Sequence, residues 1–174
     1  MDKNSLTVVY NAMIQLAGQS LCGITRDGLT VTFKFGNHLD LPGLLLVIDC
    51  GFRFTLNDNV ILSSMDIFLT SHDNENVDID TFEFYEAGNS LFDEKSNHFI
   101  ENNKTTLKIS SISISKWGDL KLEFEEGVWF NTFTDISTDE ECWRFITTES
   151  NSNQIIITGQ GLSTDSTAPP EQQN

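Results

Sequence analysis

The chain opens with Leu6, Val9, Tyr10, Met13, Ile14 and Ala17, a spacing of three and four that lays one apolar stripe along a helix. Ser5 stands where an N-cap is needed, and Gly18 where a C-terminal stop is. The period then changes to two. "LCGITR" (Leu21–Arg26), a turn at Asp27-Gly28 and "LTVTFKF" (Leu29–Phe35) predict a β-hairpin, because Asp-Gly supplies the positive φ angles of a tight turn. "LLLVIDC", "FRFTL" and "VILS" continue as strands. The same plan then recurs. "SLFDEKSNHFIENN" (Ser90–Asn103) predicts a short helix burying Leu91, Phe92, Phe99 and Ile100, and "LKISSISISK" and "DLKLEF" flank Trp117-Gly118 as a second hairpin. "VWFNTF", "WRFIT" and "QIIIT" complete the strands.

The recurrence extends to individual residues. Phe52-Arg53-Phe54 and Trp143-Arg144-Phe145 are separated by 91 positions, and the same offset carries Leu29, Val31, Phe33 and Gly36 onto Leu120, Leu122, Phe124 and Gly127. Two distant blocks that agree on one offset indicate a tandem duplication of a mostly β unit. The expected fold is therefore α+β, predominantly antiparallel, with two β-rich repeats that share a core and carry one short helix each. The expected divisions are a first repeat over 1–70, an acidic connector over 71–89, a second repeat over 90–162 and a disordered polar tail over 163–174. Alternation places the two aromatics of each triplet on the core face and the arginine on the other. Cys142, beside the second triplet, has no cysteine at the equivalent position and no histidine within forty residues. "ECWRF" accordingly reads as scaffold rather than as a reactive thiol site.

Charge narrows the range of functions. The 174 residues include 26 acids and 10 bases, a formal net charge of −16. This argues against a nucleic-acid ligand, whose phosphates need Lys and Arg, and against an anionic membrane. It permits a basic protein partner, the alternative being a soluble acidic protein whose charge merely prevents association. The longest apolar run, Leu44–Ile48, is too short to span a bilayer, and the N-terminal stretch does not have the pattern of a secretory leader. Three scattered cysteines, Cys22, Cys50 and Cys142, suit a reducing cytoplasm.

Between the repeats, from Phe54 through Glu94, there is no Lys or Arg. Asp73, Glu75, Asp78, Asp80, Glu83 and Glu86 are interleaved there with Phe82, Phe84 and Tyr85. Acids steer a basic partner and aromatics supply binding hot spots, so these acids and Tyr85 are candidate contact residues. Asp135, Asp139 and Glu140, ahead of the second triplet, would extend the same negative field. The alternative is a connector whose aromatics merely anchor it to the core.

No motif for catalysis, metal or cofactor stands out. "DNENVDID" lacks the central glycine and terminal glutamate of a calcium loop. His38, His72 and His98 are isolated, and "TGQGLS" lacks the lysine and following helix of a phosphate loop. No enzyme is expected. Taken together, "GDLKLEFEEG", the acidic stretch, "ECWRF" and "QIIITG" resemble small bacterial immunity proteins, including those of contact-dependent growth inhibition systems. The resemblance implies a cytoplasmic protein that binds one cognate toxin, and a basic nuclease toxin fits the acid excess. It carries over no functional residue. Two other readings stay open: a generic interaction module or homo-oligomeric subunit, with a homodimer as its simplest form, and a small-molecule binder with a pocket between the repeats.

Overall fold

The computed structural model describes residues 1–36, 43–72, 82–103, 107–148 and 153–166. Helix α1 (Lys3–Met13) buries Val9, Ala12 and Met13 and runs into a 3-10 turn, Ile14–Leu16. Its cap is Asp2, whose carboxylate accepts from the Ser5 backbone N–H at 2.7 Å. Ser5, the cap expected from sequence, instead lies inside the first turn, because Asp2 offers the same chemistry one turn earlier.

Strands β1 (Leu21–Asp27), β2 (Thr30–Phe35) and β3 (Leu44–Ile48) form an antiparallel meander, followed by the hairpin β4 (Gly51–Leu56) and β5 (Asn59–Ser63). A 3-10 turn, Ser64–Phe68, ends the first half. The second half repeats the order. Helix α2 (Leu91–Asn102) is capped by a reciprocal Ser90–Asp93 box. It precedes the meander β6 (Ile109–Ile114), β7 (Leu120–Phe124) and β8 (Val128–Phe133), and then β9 (Glu141–Thr147), β10 (Gln154–Thr158) and the short β11 (Gly161–Leu162).

The strands form two antiparallel sheets, of order β1-β2-β3-β9-β10-β11 and β5-β4-β8-β7-β6. The meander of each half stays in one sheet, and its following strand pair crosses to the other. Strand β9 therefore lies beside β3, and β4 beside β8. Counted by halves, the strand order of the two sheets is the same except for β11, which has no counterpart. Of the pairs 91 positions apart, Val31 and Leu122, Phe33 and Phe124, Phe52 and Trp143, and Phe54 and Phe145 are all buried, whereas Leu29 is exposed in the β1–β2 turn and Leu120 is buried in β7, so that pair does not match. Each sheet is thus completed by strands from the other half of the chain.

The sheets pack face to face through aromatic rings. Phe33 of the first sheet meets Phe52, Phe54 and Phe130 of the second at centroid distances of 5.3, 5.6 and 5.1 Å. Helix α2 closes one side by packing on β1, β5 and the Ser64–Phe68 turn, while α1 packs on β6. Beyond β11, Ser163–Ser166 stay against β10, where the Ser166 hydroxyl accepts from the Ile156 N–H at 2.9 Å. The remaining tail residues, 167–174, lie outside the described residues.

The topology gathers one set of connections at one end of the sandwich. The β1–β2 turn, the Asp49-Cys50 link from β3 to β4 and the chain leaving β5 all emerge there. So do the β6–β7 turn, the β8–β9 connection and the β10–β11 turn. Cross-contacts tie them together. The Trp143 indole N–H donates to Gly118 O in the β6–β7 turn at 2.8 Å, and the N–H groups of Asp49 and Cys50 both donate to Cys142 O.

Candidate protein-binding surface

The described C-terminal part of the acidic connector, residues 82–89, is held to this end by the buried Arg26. Arg26 lies at the end of β1 with its side chain 1% exposed, and each of its N–H donors has an acceptor. Nε and Nη2 form a fork on the two Asp93 carboxylate oxygens, both at 2.7 Å. Nη1 donates to the carbonyls of Gly28 and Phe84, each at 2.8 Å, and Nη2 also donates to Glu86 O at 2.5 Å. One guanidinium therefore fixes the β1–β2 turn, the start of α2 and the segment between them. Burial alone would push the Asp93 carboxyl up. The hydrogen bonds from Arg26, Ser90 and the Gly88 N–H outweigh that and hold it below the ordinary carboxylate range.

The neck of the connector is closed separately. Leu91 N–H donates to Leu69 O at 2.7 Å and Ser71 N–H to Asn89 O at 3.2 Å. The Glu94 carboxylate accepts from the Ser71 hydroxyl at 2.6 Å and the His72 N–H at 2.8 Å, which holds its carboxyl below the usual range.

On this base sits an aromatic cluster. Phe84 lies 5.1 Å from Phe68 and 4.3 Å from Tyr85, centroid to centroid. Tyr85 rests on the β1–β2 turn, where Gly28 takes the φ of +59° that the turn needs. Phe82 and Phe84 are half-buried, and Tyr85 is 62% exposed. Glu83 and Glu86 flank the rings and are exposed. Across the same end, Asp135, Asp139 and Glu140 are exposed on the β8–β9 connection. That connection is pinned against β10 at Gly159, where a Cβ would stand 2.3 Å from Ile136 O.

Of the sequence-predicted contact residues, Glu83, Tyr85, Glu86, Asp135, Asp139 and Glu140 are therefore all exposed at one end of the sandwich. Asp73, Glu75, Asp78 and Asp80 lie outside the described residues. Sequence reasoning missed Arg26, Phe68, Leu69 and Trp117. Trp117 is 65% exposed at the tip of the β6–β7 turn, with the Lys116 ammonium 4.3 Å over its ring. Ten large apolar side chains are exposed among the described residues. Seven of them (Leu29, Met65, Phe68, Leu69, Tyr85, Trp117 and Phe133) belong to the elements at this end.

Among the described residues no group of three or more His, Cys, Asp or Glu is arranged to hold a metal ion. Cys50 and Cys142 are buried, and the hydrogen bond between their side chains pushes the Cys50 thiol up, with burial adding to it, and holds the Cys142 thiol below its ordinary value. No helix among the described residues is long and apolar enough to cross a membrane. Comparison with protein-family models, curated proteins and solved structures found no match to this chain.

Proposed function

We propose that the chain is a cytoplasmic immunity protein that binds a basic protein toxin, a nuclease by preference, and covers its active site or substrate groove. One observation carries the reading: most of the exposed large apolar side chains share one end of the fold with a field of exposed carboxylates. Hot-spot aromatics ringed by charge are the composition of a surface that captures a protein quickly and holds it. A nuclease must present Lys and Arg to a phosphate backbone, and a chain of net charge −16 complements that groove without any catalytic group. Rigidity supports it too, because the Arg26 anchor fixes Phe84 and Tyr85 before any partner arrives and so lowers the ordering cost of binding. Three free cysteines accord with a reducing compartment.

The test is to express the product of the adjoining open reading frame, alone and with this protein. The proposal expects a toxic, basic product whose nuclease activity disappears on stoichiometric mixing. A product that is harmless, or that is toxic but does not bind, would sink it.

A further inference from the structure

Two of the three cysteines meet where the halves of the chain cross. Cys50 ends the link that carries the chain from β3 to β4, and Cys142 is the second residue of β9, just past the other crossing. Beyond the Ile48–Trp143 pair, the N–H groups of Asp49 and Cys50 both donate to Cys142 O, at 2.9 and 3.1 Å. Two residues facing one in this way form a β-bulge, which sets the backbones of Cys50 and Cys142 opposite each other. Facing residues on antiparallel strands have Cα atoms about 4.5–5.5 Å apart, inside the range of about 4.4–6.8 Å that a disulfide spans. The two side chains are hydrogen-bonded to each other, so the sulfurs already point together. Cys142 is 0% exposed and Cys50 9%. Cys22 stands apart on β1, where its thiol donates to Lys34 O at 3.2 Å.

We propose that Cys50 and Cys142 form a reversible oxidation site, a dithiol that a small neutral peroxide closes to a disulfide across the two crossings. Both thiols are free in the resting fold. The oxidant is neutral because Asp135, Asp119 and Asp49 press a negative field on the pair, which repels an anionic oxidant such as glutathione disulfide. It is small because only Cys50 reaches the surface at all. The Cys50 sulfur attacks the O–O bond of the peroxide and becomes a sulfenic acid, and the departing oxygen leaves as water with the thiol proton. Cys142, whose thiol is held below its ordinary value, then attacks the Cys50 sulfur as thiolate. The S–S bond forms, the S–O bond breaks, and the hydroxide takes the Cys142 proton as a second water. Two thiols and one hydrogen peroxide thus give one disulfide and two waters. The bond joins backbones that are already hydrogen-bonded, so the sheets keep their places. It also closes a loop of about 90 residues, the case in which a cross-link restrains the unfolded chain most.

The test exposes the folded, reduced full chain to hydrogen peroxide and follows intact mass, peptide maps without reductant, and urea unfolding. The mass should fall by two hydrogen atoms, and one cross-linked peptide should join Cys50 to Cys142 while Cys22 stays open to alkylation. The urea midpoint should rise by about 1 M and return on treatment with dithiothreitol. Cys22→Ser should change none of this. Cys142→Ser should leave a sulfenic acid on Cys50 that dimedone traps, whereas Cys50→Ser should leave Cys142 unmodified. Thiols that stay reduced until urea unfolds the chain, a cross-link that includes Cys22, oxidation that stops at sulfinic acid, or a disulfide that lowers the midpoint would each overturn the assignment. The wild-type map decides the matter even where a serine variant fails to fold. Because these outcomes are read without any toxin, they are separate from the fate of the immunity reading.

Discussion

Replacing Arg26 with Met should remove the anchor of the connector while keeping the bulk of the stem. The wild-type side chain satisfies two carboxylate oxygens and three backbone carbonyls. Its loss leaves Asp93, 9% exposed, with only Ser90 and the Gly88 N–H as donors. Breaking a buried ion pair from one side costs about 3–5 kcal/mol, and the surviving donors to Asp93 place this case near the lower bound, about 3 kcal/mol. With a urea m-value of about 2 kcal/mol/M, the midpoint should fall by roughly 1.5 M. Arg26→Met combined with Asp93→Leu should recover much of that loss, since replacing both partners of a buried pair by apolar groups is often neutral. The gap between wild type and Arg26→Met should also depend on pH with a definite sign. The Asp93 carboxyl is depressed in the fold, so its contribution is complete above the unfolded value of about 3.9 and is lost as pH falls through the lower folded value. The gap should therefore be constant from neutral pH down to about 5 and shrink below about 4. A single-variant loss under about 1 kcal/mol, or a gap that widens on acidification, would refute the anchor argument.

If the loop end binds a basic partner, Tyr85→Ala should raise koff, whereas Glu83→Lys with Glu86→Lys should lower kon and weaken its salt dependence; surface plasmon resonance at two ionic strengths separates them, and the reverse assignment would refute the geometry. Phe54→Ala, which empties a site ringed by Phe33, Phe99, Phe124 and Phe130, should cost about 3–5 kcal/mol, while Arg53→Ala beside it should cost under about 1 kcal/mol. Comparable losses would mean that the triplet does not alternate between core and surface. Gly159→Ala should destabilise by about 1–3 kcal/mol in thermal unfolding, because its methyl would strike the Ile136 carbonyl; a neutral result would show that the β8–β9 connection is not seated there.

Much of the strand set was legible because each strand carries its own signal, an alternation closed by turn residues. The cores of "TVTFKF" and "LKLEF" alternate in burial as the pattern predicts, and Phe33, Phe52, Phe124 and Trp143 are inside. What periodicity does not encode is which sheet a strand joins. Nothing local to "FRFTL" says that it pairs with "VWFNTF": the two-residue link Asp49-Cys50 has the length of a hairpin turn, and β4 joins the other sheet because β9, from the far half of the chain, takes the place beside β3. The site was half legible for a related reason. Exposed acids and Tyr85 reveal themselves by composition, but the cation that positions them lies 58 residues from Phe84 and 67 from Asp93. Arg26 also sits near the end of a strand, where a charged residue reads as solvated. Trp117 reads from sequence only as a turn residue, because its neighbour Gly118 accounts for the turn and nothing local marks the indole as exposed.

The placement of the variable parts follows from the crossing of the strands. Strands β4 and β9 each leave their own half's meander for the other sheet, and both crossings occur at the end that carries the aromatics and acids. Equivalent connections differ in length at both ends, and at this one they also differ in what they carry. The β3–β4 link is two residues and the β8–β9 link runs from 134 to 140, while the first half's hairpin turn supports Tyr85 and the second's displays Trp117. The strand interiors agree more closely: Phe33, Phe52 and Phe54 are buried, as are Phe124, Trp143 and Phe145 at an offset of 91. Divergence is tolerated where loops cover no core and is penalised where a ring must fill a space of fixed shape. Because neither sheet is complete without strands from both halves, those divergent loops stand on one rigid support rather than on two lobes that could shift apart. On the proposed reading, a surface assembled from several loops on such a support changes its partner by changing side chains at the rim, with the core untouched.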